Sequence, residues 1–327
     1  MNINIKYIIF NSADYKDGSN NSDGYYTICL EDLKSLPNVT IVGGPMRRPP
    51  IVLWFFIRVF RKLGLPVNIL RFFVKPKTAK SEKICILLIR IFESISYLYW
   101  VKLQYPNAKF VIFLRDLYET KQPHVGLYKK LGLIDYWGSY DEDEYRKYKM
   151  DFYYPEIESR INFSNMDLSP VCDVFFAGAA KKRYPKLLKT YDYLTNNGIK
   201  CNFIIMDVSE DEKENRDGII YTHDLIPYRE MLIHSQRCNC LLDINQEGAV
   251  GNTSRFLEAI IYNKKLITNN QTARDSKFYN PNFICIFDDV TDINPEFILS
   301  TIEVDYNYNN EFSPLGLIET IDHVITE

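Results

Sequence analysis

Short apolar runs alternate along the chain with polar loops and with segments of helical period. Residues 5–10 form the first apolar run. A loop rich in Asp, Ser, Asn and Gly follows at 11–24, then a helix-like stretch at 25–36 and a second apolar run at 39–42. That order predicts strand, loop, helix, strand, the opening of a parallel α/β domain. In such sheets ligands lie beyond the carboxyl ends of the strands, where the 11–24 loop falls. Residues 84–103 are apolar almost all round and read as a long buried helix. A strand is expected at 109–114, and another, closing the first half, within 132–137.

The pattern restarts after a stretch of low hydrophobicity at 156–170, which reads as a linker. Strands are predicted at 172–176, 201–205, 219–221, 238–243, 265–268 and 283–287, with helices at 184–196, 228–235 and 253–262. Alternation of this kind points to a doubly wound parallel sheet. A last helix is expected at 314–325. The organisation expected is an N-terminal domain at 1–160, a second at 161–312, and a tail at 313–327 that packs back on one of them.

Composition refines this picture without redirecting it. At 46% hydrophobic and 25% charged, 327 residues have ample material for two cores. The net charge of -3 points to no polyanionic partner, so nucleic acid is not expected. Seven cysteines show no framework spacing, and Cys238 and Cys240 lack a second metal-binding pair, so both read as core. No run of about 18 uncharged apolar residues or signal peptide is recognised, so a cytoplasmic location is expected. Charge is uneven, however. Residues 47–83 hold ten basic side chains and one acidic residue, Glu82, interleaved with Trp54, Phe55, Phe56, Phe60, Phe72 and Phe73. Such a segment lies either in an anionic membrane interface or as a buried helix with basic ends in water. The first alternative puts the chain peripherally on the inner face of the cell membrane.

The densest chemistry lies in DINQEGAVGNTSRFLE, residues 243–258. An apolar strand enters a loop with two glycines, and a helix starts near Asn252 or Thr253, both good N-caps. Free N–H groups and the positive end of the helix dipole suit a phosphate there. Arg255 adds a cation, and Glu258, three residues on, offers a carboxylate to vicinal ribose hydroxyls. The plain alternative is a capped helix with a surface Arg–Glu pair. Asp141-Glu142-Asp143 mimics a metal-binding D-x-D but reads better as a solvated, acidic helix start.

Residues 243–258 with KKLITNN at 264–270 resemble the donor site of GT-B glycosyltransferases, in particular bacterial enzymes of capsule and lipopolysaccharide assembly. The matching positions are Gln246, Gly248, Gly251, Thr253, Arg255, Glu258 and Ala259. DVFFAGAAKKR at 173–183 is similar to that family's strand, glycine turn and basic residues facing the diphosphate, with Gly178, Lys181, Lys182 and Arg183 in those places. HDLIPYREML, with His223 and Tyr228, resembles the segment lining the nucleotide base. What the resemblance implies is an α/β fold of two Rossmann-like domains facing a cleft. It further implies diphosphate on Gly251, Asn252 and Thr253, ribose on Glu258, and the donor sugar's hydroxyls near Glu247. Ala179 and Ala180 depart from the family's polar residues. GT-B enzymes usually need no divalent ion, so neither metal nor cofactor is expected, and the nucleotide-sugar is a substrate. A base for the acceptor proton would come from the first half, with Asp14, Asp17 and Asp116 as candidates and Asp14 preferred over Asp17. The expected function is transfer from a nucleotide-sugar, with UDP first in line, to a lipid-linked or saccharide acceptor in bacterial surface polysaccharide synthesis. A nucleotide-sugar epimerase of the same fold and a non-catalytic partner subunit are the alternatives.

Overall fold

A computed structural model describes residues 5–11, 24–43, 49–77, 81–89, 95–224, 226–245 and 253–327. The chain divides into two compact units, Met1–Ser159 with Phe312–Glu327, and Arg160–Glu311.

The sheet of the first unit runs β2 (Val39–Gly43), β1 (Lys6–Asn11), β3 (Ile84–Ile89), β4 (Lys109–Leu114), β5 (Tyr136–Ser139) and β6 (Phe152–Tyr153), all parallel. Side chains alternate between its faces, as a pleat requires. Ile8, Ile86, Leu88, Phe110 and Ile112 pack against Tyr97, Leu98 and Val101 of the helix Ile95–Gln104. Tyr7, Ile9, Leu87, Val111 and Phe113 pack on the other side with Leu30, Leu33 and the terminal-helix residues Leu317, Ile318 and Ile321. That helix, Pro314–Thr326, therefore belongs to the first unit, and the Tyr7 hydroxyl donates to Asp322 Oδ1 at 2.5 Å.

Three expectations change here. The long helix at 84–103 is instead β3 followed by the helix Ile95–Gln104. Every residue of β3 is buried, so it has no polar face to reveal a period of two, and Ile84, Ile86 and Ile89 carry its strand preference. The 25–36 helix shortens to Tyr25–Ile28 and a 3-10 turn, Glu31–Ser35, stopping before Pro37. The acidic run starts the helix Glu142–Tyr148 as expected, with Asp141 as its cap and Glu142 and Asp143 exposed, while the next residue, Glu144, is buried. Its carboxylate accepts from the backbone N–H of Tyr118 at 2.7 Å and of Glu119 at 3.2 Å. After β5, expected to be the last strand of this half, comes β6.

The basic aromatic segment forms the helix Ile51–Lys62 and the 3-10 helix Val67–Phe73. Ile57, Val67, Leu70 and Val74 pack with Leu103, whereas Ile51, Val52, Phe55, Phe72 and Phe73 remain exposed.

In the second unit the sheet runs β12 (Ile284–Ile286), β11 (Lys265–Thr268), β10 (Cys238–Asp243), β7 (Cys172–Ala179), β8 (Cys201–Met206) and β9 (Ile219–Thr222), again all parallel. The helices Tyr184–Asn196, Tyr228–Gln236 and Ser254–Ile261 connect strands as the sequence pattern anticipates. Cys238 and Cys240 are both buried. Successive strands first move outward from β7 through β8 to β9, then return to its other side as β10. The order thus reverses between β7 and β10, the position at which doubly wound sheets bind ligands.

Candidate functional site

At the carboxyl end of β7, Gly178 and Ala179 lead into the 3-10 turn Lys181–Arg183 and the helix Tyr184–Asn196. Arg183 folds back over the strand end. Its Nε donates to the Ala179 carbonyl at 3.0 Å and its Nη1 to the Ile244 carbonyl, just past β10, at 2.5 Å. The guanidinium lies 5.2 Å from the Phe176 ring centroid. A Cβ at position 178 would meet Arg183 Nη2 at 2.5 Å, so only glycine leaves room for this fold-back. One arginine thereby ties together the two strand ends that flank the reversal. Lys182 is exposed on the same turn, with no ion pair to a described residue.

On the β10 side, Asp243 ends the strand, buried, and accepts from Thr268 Oγ1 at 3.2 Å. Burial raises its pKa, against a hydrogen bond from Thr253 and the charges of Arg255 and Arg183. Thr253 caps the helix Ser254–Ile261, its Oγ1 accepting from the Phe256 N–H at 3.3 Å. Asn245 is buried, and its backbone N–H donates to Asn269 Oδ1 at 2.7 Å. Its own Oδ1 has no partner among the described residues.

Below this end the pair expected to meet nucleotide is turned inward. The Arg255 side chain is 7% exposed and that of Glu258 is wholly shielded. Arg255 Nη1 donates to Glu258 Oε2 at 2.5 Å and to Ser235 Oγ at 2.8 Å, and Nη2 lies 3.1 Å from Met231 Sδ. Glu258 also accepts from the Ser235 hydroxyl at 2.9 Å and from the Tyr228 hydroxyl at 3.1 Å. Burial raises the Glu258 pKa, chiefly opposed by Arg255. The expected phosphate-facing Arg255 and ribose-facing Glu258 here contact each other and side chains of the helix Tyr228–Gln236. The i, i+3 spacing does place both on one helical face, but that face packs on the helix Tyr228–Gln236.

The structure therefore brings Gly178, Arg183, Thr253, Arg255, Glu258 and Tyr228 to one end of the sheet. His223 stands apart at the end of edge strand β9, 62% exposed, 3.6 Å from Glu210. Gln246, Glu247, Gly248, Gly251 and Asn252 lie outside the described residues, as do Asp14 and Asp17. Asp116 is described, half-buried in the first unit after β4. Its neighbour Arg115 is buried and paired with Glu156, donates from Nη2 to the Tyr25 hydroxyl at 2.7 Å, and leans on that ring. Sequence reasoning passed over Asp243, Asn245 and Ser235. The first two belong to the informative stretch or adjoin its strand, so position alone would have flagged them. Ser235 carries no local signal. Among the described residues no group of three or more His, Cys, Asp or Glu side chains is placed to hold a metal ion.

No family model matches the chain, and no curated protein matches it. Solved structures do. An alpha-glucosyltransferase (AGT) in complex with UDP superposes with a TM-score of 0.54 at 10% identity, covering 98% of this chain and 100% of that one. The alpha-glucosyltransferase in complex with UDP and a 13-mer DNA containing a HMU base gives 0.51 at 11%, covering 98% and 99%. A glycosyltransferase from Rickettsia africae ESF-5 gives 0.50 at 8%, covering 97% and 93%. The fold is thus the two-Rossmann-domain architecture of GT-B glycosyltransferases.

Proposed function

We propose that the chain is a glycosyltransferase that takes a UDP-sugar in its second unit. The observation carrying this is the arginine bridge at the strand reversal. Arg183, held over Gly178 and tied to Ile244, places a fixed cation beside the capped N-terminus of the helix Ser254–Ile261. A guanidinium, exposed Lys182 and free helical N–H groups suit a diphosphate. The buried Arg255–Glu258–Ser235–Tyr228 network is the platform on which Thr253 and Tyr228 are set.

In the transfer, an acceptor hydroxyl oxygen bonds to the anomeric carbon, the anomeric C–O bond to the diphosphate breaks, and the nucleoside diphosphate leaves with the electron pair. Negative charge grows on the leaving oxygens, where preorganised cations and amides act without a metal. The acceptor proton passes to a carboxylate, with Asp14 and Asp116 the candidates and Glu247 a donor-sugar contact. The acceptor is lipid-linked or saccharide, in bacterial surface polysaccharide synthesis at the inner face of the membrane. The exposed basic aromatic segment supports a lipid surface, and the net charge of -3 disfavours nucleic acid.

Thermal titration with UDP, GDP and CDP tests the donor assignment. UDP at 100 times its Kd is expected to stabilise by about 2.7 kcal/mol, and Arg183→Ala to erase the shift. Failure of all three nucleotides to stabilise the wild type would remove the basis of the proposal. UDP release from UDP-sugars, measured with saccharide, lipid-linked and DNA acceptors, then separates transfer from epimerisation and fixes the acceptor class.

A further inference from the structure

The first unit contains a cavity of about 510 Å³ beside the basic aromatic segment. Its walls come from the turn after the helix Ile51–Lys62, the 3-10 helix Val67–Phe73, the helix Ile95–Gln104 and the turn at 131–133. Two cations line it, Arg71 and Lys102. Arg71 is exposed, and its side chain makes no hydrogen bond or ion pair with a described residue. The Lys102 ammonium lies 4.8 Å from the Phe110 ring centroid and 3.9 Å from Asp135 Oδ2, an oxygen that already accepts from the Phe110 N–H at 2.8 Å. Burial lowers the Lys102 pKa, so an added anion would stabilise its charged form.

The mouth is apolar. Leu65 and Leu131, 66 positions apart in sequence, both line the cavity and are both exposed. Leu63, Ile69, Phe72 and Phe73 of the same segment are exposed as well, the two phenylalanines at 84% and 79%. No acidic residue occurs between positions 47 and 77. Cations set inside an apolar rim match an amphiphile with an anionic head. A small soluble anion makes no use of the rim. A second copy related by two-fold symmetry would bring Arg58, Arg61, Lys62 and Arg71 against their own like charges.

We propose that this cavity seats the phosphate of an anionic bilayer lipid on Arg71 and Lys102, while Phe72, Phe73, Leu65 and Leu131 enter the edge of the hydrocarbon. The proposal rests on the membrane-surface part of the function above and adds a defined headgroup site to it.

The test is co-sedimentation of the full chain with neutral phosphatidylcholine vesicles and with vesicles of phosphatidylcholine and phosphatidylglycerol. Each cation near an anionic surface contributes about five-fold in partitioning. Wild type is expected to prefer the anionic vesicles. Arg71→Gln/Lys102→Gln should lose at least about ten-fold of that preference while binding neutral vesicles as wild type does. Phe72→Ser/Phe73→Ser should lose binding to both. Arg71→Gln alone, at an exposed position, serves if the double variant melts early, with about five-fold expected. An unchanged anionic preference in the cavity variants overturns the proposal. So does wild-type binding that is equal on the two vesicle types, or light scattering that shows the rim buried in a dimer. A thermal shift with glycerol 3-phosphate in place of vesicles, equal in wild type and cavity variant, would also count against it. The UDP shift of the second unit is measured on the same samples. Its loss with vesicle binding intact sinks the donor assignment alone, and the converse sinks the lipid site alone.

Discussion

Gly178 and Arg183 compete for one volume at the end of β7. Gly178→Ala leaves the strand intact and moves the flexible guanidinium, breaking its bond to Ile244. Charge-assisted hydrogen bonds contribute about 1.5–3 kcal/mol, so UDP affinity measured by calorimetry should fall about ten-fold or more, and the melting temperature should fall with the lost bond to Ile244. A different outcome is expected deeper in the unit. Arg255→Met strands a buried carboxylate, and urea denaturation at pH 7 should show a loss of about 3–5 kcal/mol. That loss should shrink in acid. Glu258 already has a raised folded pKa, and removing Arg255 raises it further. Stability from such a carboxyl is full below its unfolded pKa and lost as pH rises through the folded value, so wild type and variant diverge with rising pH.

At the scale of elements, Lys265 at the start of β11 ends a helix that is not its own. Its ammonium donates to the carbonyls of Phe297, Ile298 and Ser300 at 2.6–2.7 Å, closing the helix Pro295–Leu299. A cation there satisfies terminal carbonyls and complements the dipole. Lys265→Met should therefore cost about 3 kcal/mol in urea denaturation, with hydrogen exchange accelerated over 295–300. Nothing in KKLIT announces this role, because the partners are 32 to 35 residues away in sequence and the contact is tertiary. The strand series of the second unit was readable, since β10 and β11 are apolar runs bounded by turns. β3 was not, because a strand buried on both faces has the same composition as a buried helix. At the site, Gly178 and Arg183 were marked by the resemblance of 173–183 to the GT-B strand and glycine turn. The inward turn of Arg255 and Glu258 was not, for a helical wheel shows which residues share a face and not what that face meets.

For the molecule as a whole, the two sheets repeat one plan, and the proposed function assigns donor binding to one and the lipid surface to the other. Ligand effects should be equally divided. In hydrogen exchange, UDP should slow amides at 176–184 and 253–261 and leave β1, β3 and β4 unchanged. Deleting 312–327 should remove Leu317, Ile318 and Ile321, uncover the Tyr7, Ile9 and Leu33 side of the core and destabilise the first unit, yet spare the UDP-induced shift of the second. Equal loss of both responses would show the division to be wrong.

The return of the last helix to the first sheet also sets an order of events during synthesis. Tyr7 is synthesised long before its partner Asp322. The first unit therefore cannot close its core until residue 322 has been made, while Arg160–Glu311 emerges as one uninterrupted piece and can finish earlier. Nascent chains stalled near residue 311, once clear of the exit tunnel, should already resist protease across the second unit while the first is still cut.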